Sequence, residues 1–282
     1  MTATDAATAR GCDRLLQAIA QRGIAHGIED SLKFSTSDGL VAGRLLVGVH
    51  AVDMPWAGFL ALVQELGLPP GHAEGLQGAF ARSNALGFAV EDRGPRTLWK
   101  VYLEFWDEVR VAVRASGSRE PREMHLGLKW EEGPAQRVER AHYTCHPLLT
   151  HEDILDRLKA LYGGDRALPG YAAARQLVKA CARRWPALPL IYLEAGEEGN
   201  QRRSFDLNFY RTELRMPDAI GHLQAAGEGL GIDAQALAAS LARLGDARLG
   251  HVSGGFDRRG VEFMSLYAER QPLAASMSGP KS

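Results

Sequence analysis

Side chains able to do chemistry recur at every second position of several short segments: Glu29, Ser31 and Lys33; Arg44; Lys100, Tyr102 and Glu104; Asp206, Asn208 and Tyr210. Successive side chains of a strand point to opposite faces, so each set shares one face of its segment. The opposite faces are apolar, with Ile28, Leu32 and Phe34, then Val41, Leu45, Val47 and Val49, then Trp99, Val101, Leu103 and Phe105, then Phe205, Leu207 and Phe209. A single lysine or arginine on such a face is ordinarily a solvated surface residue, and Glu29 could simply pair with Lys33. Repetition of basic, phenolic and acidic groups opposite apolar faces points instead to one shared polar surface. An arginine fork and two lysine point charges suit an anion. A phenol ring suits a cation, and a carboxylate suits proton transfer or anchoring.

The elements that must position these groups read as strand pairs joined by charged or glycine-containing turns. Five pairs are legible: 28–35 with 40–50, 85–90 with 97–105, 124–130 with 137–145, 190–194 with 204–212, and 248–254 with 261–269. Helical stretches separate them. Asp53 and Pro55 start one, with Trp56, Phe59, Leu60 and Val63 at helical spacing. Thr150 and Asp153 form a capping-box pattern ahead of Ile154, Leu155, Leu158 and Leu161, and Gly163 and Gly164 stop that helix. Further helices are predicted over 171–184 and, as a pair, between 217 and 244, whereas 107–122 reads as a short helix and a loop. An open sheet would leave its polar face in water. A closed cylinder of about ten antiparallel strands would turn that face into a lumen roomy enough for a ligand. The expected fold is therefore α+β, an antiparallel ten-stranded β-barrel surrounded by helices.

The 282 residues show no linker-like interruption, so a single domain over 1–272 with a flexible tail over 273–282 is expected. A formal net charge of -1 gives no global basic field for nucleic acid. No apolar run is long enough for a bilayer, and the first ten residues lack a signal core. Cys12, Cys145 and Cys181 are scattered and odd in number, which reads as a reduced, cytoplasmic setting. His142, Cys145, His146 and His151 invite a zinc reading, but Pro147 interrupts their spacing and no metal site is assigned. Gly163-Gly164 and Gly254-Gly255 read as turns, since neither continues into a phosphate-binding fingerprint.

The order of hairpins and helices resembles the αββα (ABBA) prenyltransferases, and more narrowly the peptide-modifying prenyltransferases of cyanobactin pathways. The segments that carry the resemblance are Ile28-Glu29-Asp30-Ser31-Leu32-Lys33-Phe34, Leu40-Val41-Ala42-Gly43-Arg44-Leu45-Leu46, Leu98-Trp99-Lys100-Val101-Tyr102 and Ser265-Leu266-Tyr267, spread collinearly over 28–269. It implies transfer of an isoprenyl group from an allylic diphosphate to a side chain of a ribosomal, cyclic peptide. Arg44, Lys100, Lys33 and Asn208 would bind the diphosphate, so that the leaving group departs with its charge compensated. Tyr102, Tyr143, Tyr210, Tyr267 and Tyr192 would wall the donor pocket and shield the allyl cation. Glu29 would be the base or anchor, and Glu104, Glu194 and Asp206 are acceptor-binding candidates.

Magnesium would arrive with the diphosphate, because no aspartate-rich run occurs here; Asp107-Glu108 and Glu131-Glu132 are isolated pairs. The third hairpin leaves two inward sets open: Arg140, His142 and Thr144, or Glu139, Ala141 and Tyr143, with alignment favouring Tyr143. Ser265 stands where the family tends to place a larger polar residue. The bulk of Ile191 and Tyr192 leans toward dimethylallyl diphosphate as co-substrate. A chain ending soon after its last strand fits a barrel mouth open to a macrocycle, and a monomer is expected. An indole or phenol prenyltransferase and a non-catalytic barrel binding a hydrophobic anion are the other readings.

Overall fold

The computed structural model of the chain describes residues 10–94, 96–133, 137–197 and 199–274. Ten strands run in sequence: β1 (His26–Ser35), β2 (Gly39–His50), β3 (Ala85–Arg93), β4 (Arg96–Glu104), β5 (Arg122–Glu131), β6 (Val138–Cys145), β7 (Ile191–Glu197), β8 (Arg203–Asn208), β9 (Leu249–Phe256) and β10 (Glu262–Gln271). Each pairs antiparallel with its neighbours, and β1 pairs with both β2 and β10, so the sheet closes into the expected barrel with no free edge. All five hairpins read from the sequence are present. Eight α-helices are described around it: α1 (Arg10–Gln21), α2 (Trp56–Glu65), α3 (Gln77–Arg82), α4 (Trp106–Ser116), α5 (His151–Leu161), α6 (Pro169–Arg184), α7 (Met216–Gly229) and α8 (Ala234–Ala242). None of the described helices is long and apolar enough to cross a membrane.

Alternation fixes which face packs. Trp99, Val101 and Leu103 are fully or nearly fully buried on the outer face of β4 and join Leu45, Val47, Phe88 and Trp130 under α1 and α2. On the other side, Phe34, Phe205, Leu207, Val252 and Leu266 pack under α5 to α8. Burying each such side chain contributes roughly 1.5–3 kcal/mol, so the two outer shells hold the cylinder while its inner face stays free for polar groups. Helix α4 extends further than the short helix expected over 107–122, ending on Gly117 at φ 61°. Its Val109 packs on Cys145 and Leu193, and so fills the helix-side end of the barrel. The described hairpin turns lie at the opposite end, where Asp38, Arg96, Glu131 and Arg259 line the lumen.

α1 has no counterpart in the sequence reading. Its stripe of Leu15, Ala18 and Ile19 is short, and its anchor is remote: Asp92 of β3 accepts a hydrogen bond from the Gly11 amide at 3.0 Å and one from the Thr97 hydroxyl at 2.9 Å. A Cβ on Gly11 would sit 2.5 Å from Asp92 Oδ1 and 2.7 Å from Val90 Cγ2. Gly11→Ala should therefore destabilise the chain by about 1–3 kcal/mol despite the better helix propensity of alanine, read as a lower urea midpoint. An unchanged or raised midpoint would show that α1 does not depend on this contact.

One further expectation is corrected. β8 stops at Asn208 instead of running to 212, because Phe209 O accepts from the Thr212 amide and turns the chain. Of the tail expected over 273–282, residues 275–282 lie outside the described residues. Leu273 lies against Gly27, and Ala274 O is 3.0 Å from His50 Nε2.

Candidate active site

Cross-strand partners share a face, so the ladder itself sorts the candidates. Tyr267 pairs with Ser31 and with His251, Arg44 with Ser31 and Glu91, and Lys100 with Ala89 and Lys129. Of these, Tyr267, His251, Arg44, Glu91, Lys100 and Lys129 line a cavity of about 350 Å³, together with Lys33, Tyr102, Glu104, Tyr143 and Asp206, whereas Glu29, Asn208 and Tyr210 stand behind its wall. In the third hairpin, the inward set is Glu139, Ala141 and Tyr143.

The hairpin-turn end carries the cations. Glu91, 1% exposed, sits 3.3 Å from Arg44 Nε, 3.0 Å from Lys100 Nζ and 2.5 Å from Arg93 Nη2. Burial pushes the Glu91 carboxyl up, but Lys100, Arg44, Lys33 and Arg93 together hold it well below the usual carboxylate range. Burial lowers Lys100 to about 7, with Glu91 opposing and Arg44, Lys129 and Lys33 assisting. Arg44 donates from Nη2 to the Tyr267 hydroxyl at 3.1 Å, while its buried Nη1 has no hydrogen-bond partner among the described residues. Lys129 pairs with Glu139 at 2.9 Å and Arg202 with Glu197 at 2.6 Å, and Lys33 reaches Asp38 at 3.5 Å.

Next come the rings. Tyr102 and Tyr143 meet edge to face at 5.8 Å, and Arg202 donates to the Tyr143 hydroxyl at 3.3 Å. Tyr102 pairs with Gly87 on one side and Gly127 on the other, and a Cβ at either position would lie 3.2 Å from its ring. These two glycines are what let the ring stand between the strands. Burial raises the Tyr102 and Tyr267 hydroxyls, so both rings present neutral phenols.

The deeper part is acidic. Tyr210 donates a short hydrogen bond to Glu29 Oε1, and Glu29 Oε2 is buried with no hydrogen-bond partner among the described residues. His251 Nδ1 is 2.8 Å from Asp206 Oδ1, and its Nε2 lies 3.9 Å from Glu29 Oε1 and 3.3 Å from Asn208 Nδ2. Glu104 faces His125 at 3.7 Å. Burial raises the Glu29 carboxyl, with His251 and Tyr210 opposing.

Three sequence assignments change. Tyr192 and Glu194 point outward, because Leu193 is the residue directly opposite the inward Asp206. Tyr192 is fully buried under the helices, and Glu194 is held by Arg157 at 2.9 Å and by the Tyr192 hydroxyl at 3.0 Å. Ile191 packs beside Val109 and Leu193, so the donor-length argument built on 191 and 192 loses its wall. Asn208 belongs with His251 at the acidic end, away from the Arg44 and Lys100 cluster. Glu91, Lys129, Arg202 and His251 are absent from the sequence assignment; the ladder sets Glu91 opposite Arg44, Lys129 opposite Lys100 and His251 opposite Tyr267, pairings that no single strand's pattern shows.

The residues do not fit a protein-held metal. Among the described residues no three of His, Cys, Asp or Glu converge on a point, and the carboxylates near the cation cluster each sit on a lysine or arginine. His142 contacts Glu123 at 2.6 Å and His146 contacts Arg157 at 3.0 Å, so the histidines of the zinc reading are drawn to different partners.

No protein-family model and no curated protein matches the sequence. Solved structures do match in shape. The 6-dimethylallyltryptophan synthase from Micromonospora olivasterospora, in complex with DMASPP and Trp, aligns over 86% of this chain and 81% of its own, at 16% identity and a TM-score of 0.55. The prenyltransferase PriB, in a ternary complex with L-tryptophan and dimethylallyl thiolodiphosphate, aligns over 88% and 82% at 17% identity and 0.54. AnaPT from Neosartorya fischeri aligns over 90% and 80% at 12% identity and 0.52. At such identities the likeness is one of architecture, and with the closed ten-stranded ladder it gives this chain the fold of the αββα (ABBA) prenyltransferases.

Proposed function

We propose that the chain transfers a dimethylallyl group from its diphosphate to an acceptor held at the acidic end of the lumen. The observation that carries this reading is the division of one cavity into a cation cluster around Arg44, whose Nη1 has no hydrogen-bond partner among the described residues, and an acidic end of Glu104, Asp206 and His251, with phenol rings between and Glu29 buried behind His251. The diphosphate is gripped by Arg44 and Lys100, with Lys33, Lys129 and Arg202 around it. The C–O bond breaks with its electron pair leaving on the diphosphate, where preorganised cations offset the charge. The allyl cation is then faced by Tyr102, Tyr143 and Tyr267, a contact worth roughly 0.5–2 kcal/mol per ring. An acceptor carbon or nitrogen supplies the electrons for the new bond, and Glu29 takes the displaced proton.

The acceptor we favour is an indole-type ring, in keeping with the tryptophan complexes of two structural neighbours. The peptide acceptor implied by the resemblance to cyanobactin enzymes is the second reading. For such an acceptor the flanking chain would have to pass the rim, where Arg96 and Arg259 side chains are 66% and 51% exposed. The protein is incubated with dimethylallyl diphosphate, magnesium, free tryptophan, tryptophan-containing cyclic dipeptides, and linear and cyclic peptides bearing Trp, Tyr or Arg. A mass gain of one isoprene unit with release of pyrophosphate is expected. Tight donor binding with no transfer to any acceptor would make the barrel a carrier instead.

Because Lys100 titrates near 7 in the empty cavity, pyrophosphate should draw a proton onto it. The protonated lysine binds the anion and the neutral one does not, so the linkage acts above pH 7. Calorimetry at pH 8 in buffers of different ionisation enthalpy should show up to about one proton more taken up by the native protein than by Lys100→Arg, whose charge is fixed. Equal uptake would place Lys100 outside the anion site.

A further inference from the structure

Resting on the transfer reading above, we propose that Asp206 and His251 form a dyad that takes over the acceptor's proton from Glu29, so that His251 is the proton's final seat in the closed site. The backbone fixes the imidazole's tautomer. The Tyr210 amide donates to Asn208 Oδ1 at 3.0 Å, which turns the Asn208 NH₂ toward His251 Nε2 at 3.3 Å. An amide NH₂ only donates, so in the neutral ring Nε2 presents its lone pair. Nδ1 then carries the hydrogen and donates it to Asp206 Oδ1 at 2.8 Å.

The same lone pair lies 3.9 Å from Glu29 Oε1, the oxygen that also accepts from Tyr210, so the carboxyl group must move toward the ring for the proton to pass. The ring is faced by Asp206 and Asn208 of β8, by Tyr210 just after it, by Glu29 of β1 and by Tyr267 of β10, with Glu104 of β4 further off. An imidazolium formed there has a carboxylate on either side. Burial opposes that charge, but Asp206 and Glu29 outweigh it and raise His251 to about 9, above any ordinary carboxyl.

The step balances without another reactant. The acceptor's C–H or N–H bond breaks and its electron pair stays with the acceptor. The proton goes to Glu29, the resulting carboxyl O–H breaks, and the proton passes to His251 Nε2, which is left as imidazolium beside ionised Asp206 and Glu29. Release to solvent after the product leaves resets the dyad. Since only the neutral ring can receive a proton, the rate of transfer should rise with pH through the His251 titration.

Two measurements test this. In ¹⁵N- and ¹³C-histidine-labelled protein, the His251 ring should be the Nδ1–H tautomer when neutral and titrate above a free imidazole, and that titration should move down in Asp206→Asn. A free-imidazole titration, or the Nε2–H tautomer, would overturn the dyad whatever the acceptor proves to be. With a working acceptor, His251→Gln and Asp206→Asn should each lower kcat at least tenfold, flatten the rising pH limb and leave the KM for the donor within about twofold. Loss through the donor KM alone, or an intact limb, would overturn the relay. Absence of transfer by the native protein would count against the function above, while the tautomer and titration would still judge the dyad.

Discussion

Arg44→Ala should lower the rate of pyrophosphate release from dimethylallyl diphosphate by about 10³-fold and weaken the binding of inorganic pyrophosphate at least tenfold. The size follows from how much one guanidinium does. Its Nε faces Glu91 at 3.3 Å, its Nη2 holds the Tyr267 hydroxyl at 3.1 Å, and Nη1 has no hydrogen-bond partner among the described residues although the side chain is only 5% exposed. Losing one preorganised donor to a developing anion costs roughly 3–4 kcal/mol, or 10²–10³ in rate. The truncation also leaves Tyr267 without its tether, which loosens a ring proposed to face the allyl cation. Glu91 remains paired with Lys100 and Arg93, so the fold should survive and a thermal melt should show a modest loss. Arg44→Lys keeps the charge without the fork and should recover about tenfold of the lost rate. Turnover by Arg44→Ala within a few-fold of native would remove the diphosphate from this end of the lumen.

What made Arg44 findable was alternation. Leu45, Val47 and Val49 want an apolar neighbour, and in a closed barrel the other face then has only the lumen to occupy; the expected outward Val41 is corrected, because a bulge sets it opposite the inward Lys33 and turns Leu40 and Ala42 toward the helices instead. The same logic placed Lys100, Tyr102 and Glu104, since Trp99, Val101 and Leu103 could only face the helices. It failed on β7, where Ile191, Leu193 and Ala195 alternate with Tyr192, Glu194 and Gly196. Neither set is clearly polar, because the inward one meets the apolar plug of α4 and the outward one carries a carboxylate tied to Arg157. Glu91 was illegible for another reason. Glu91-Asp92-Arg93 looks like a solvated turn, yet β3 runs through it, sending Glu91 into the cation cluster and Asp92 out to the start of α1. His251 stands alone between Gly250 and Val252, and its partners Asp206 and Glu29 lie on other strands. A site assembled across the ladder is visible from sequence only as far as each strand's own pattern reaches.

Glu29→Gln should fail at the other end of the reaction. The carboxylate accepts the Tyr210 hydroxyl through Oε1, while its buried Oε2 has no hydrogen-bond partner among the described residues, which is the geometry of a base waiting for a donor. Burial, joined by Asp206 and Glu104, raises its carboxyl against the pull of His251 and Tyr210, which makes it a stronger base than an exposed glutamate. The glutamine still accepts from Tyr210 but cannot take a proton. Because Glu29 stands apart from Arg44 and Lys100, kcat should fall about 10²–10⁴-fold while pyrophosphate affinity stays within about twofold. Stability should move in the opposite direction to activity. A carboxyl whose titration is raised by folding contributes stability that is present below its unfolded value and is lost as pH rises through the folded one. The native protein therefore carries a penalty at neutral pH that glutamine lacks. Glu29→Gln should melt at or above the native temperature at pH 7, and the difference should close on acidification toward pH ~4. Lost activity accompanied by a lower melting temperature at pH 7 would mark Glu29 as a structural anchor, and unchanged kcat would mean that the proton leaves by another route.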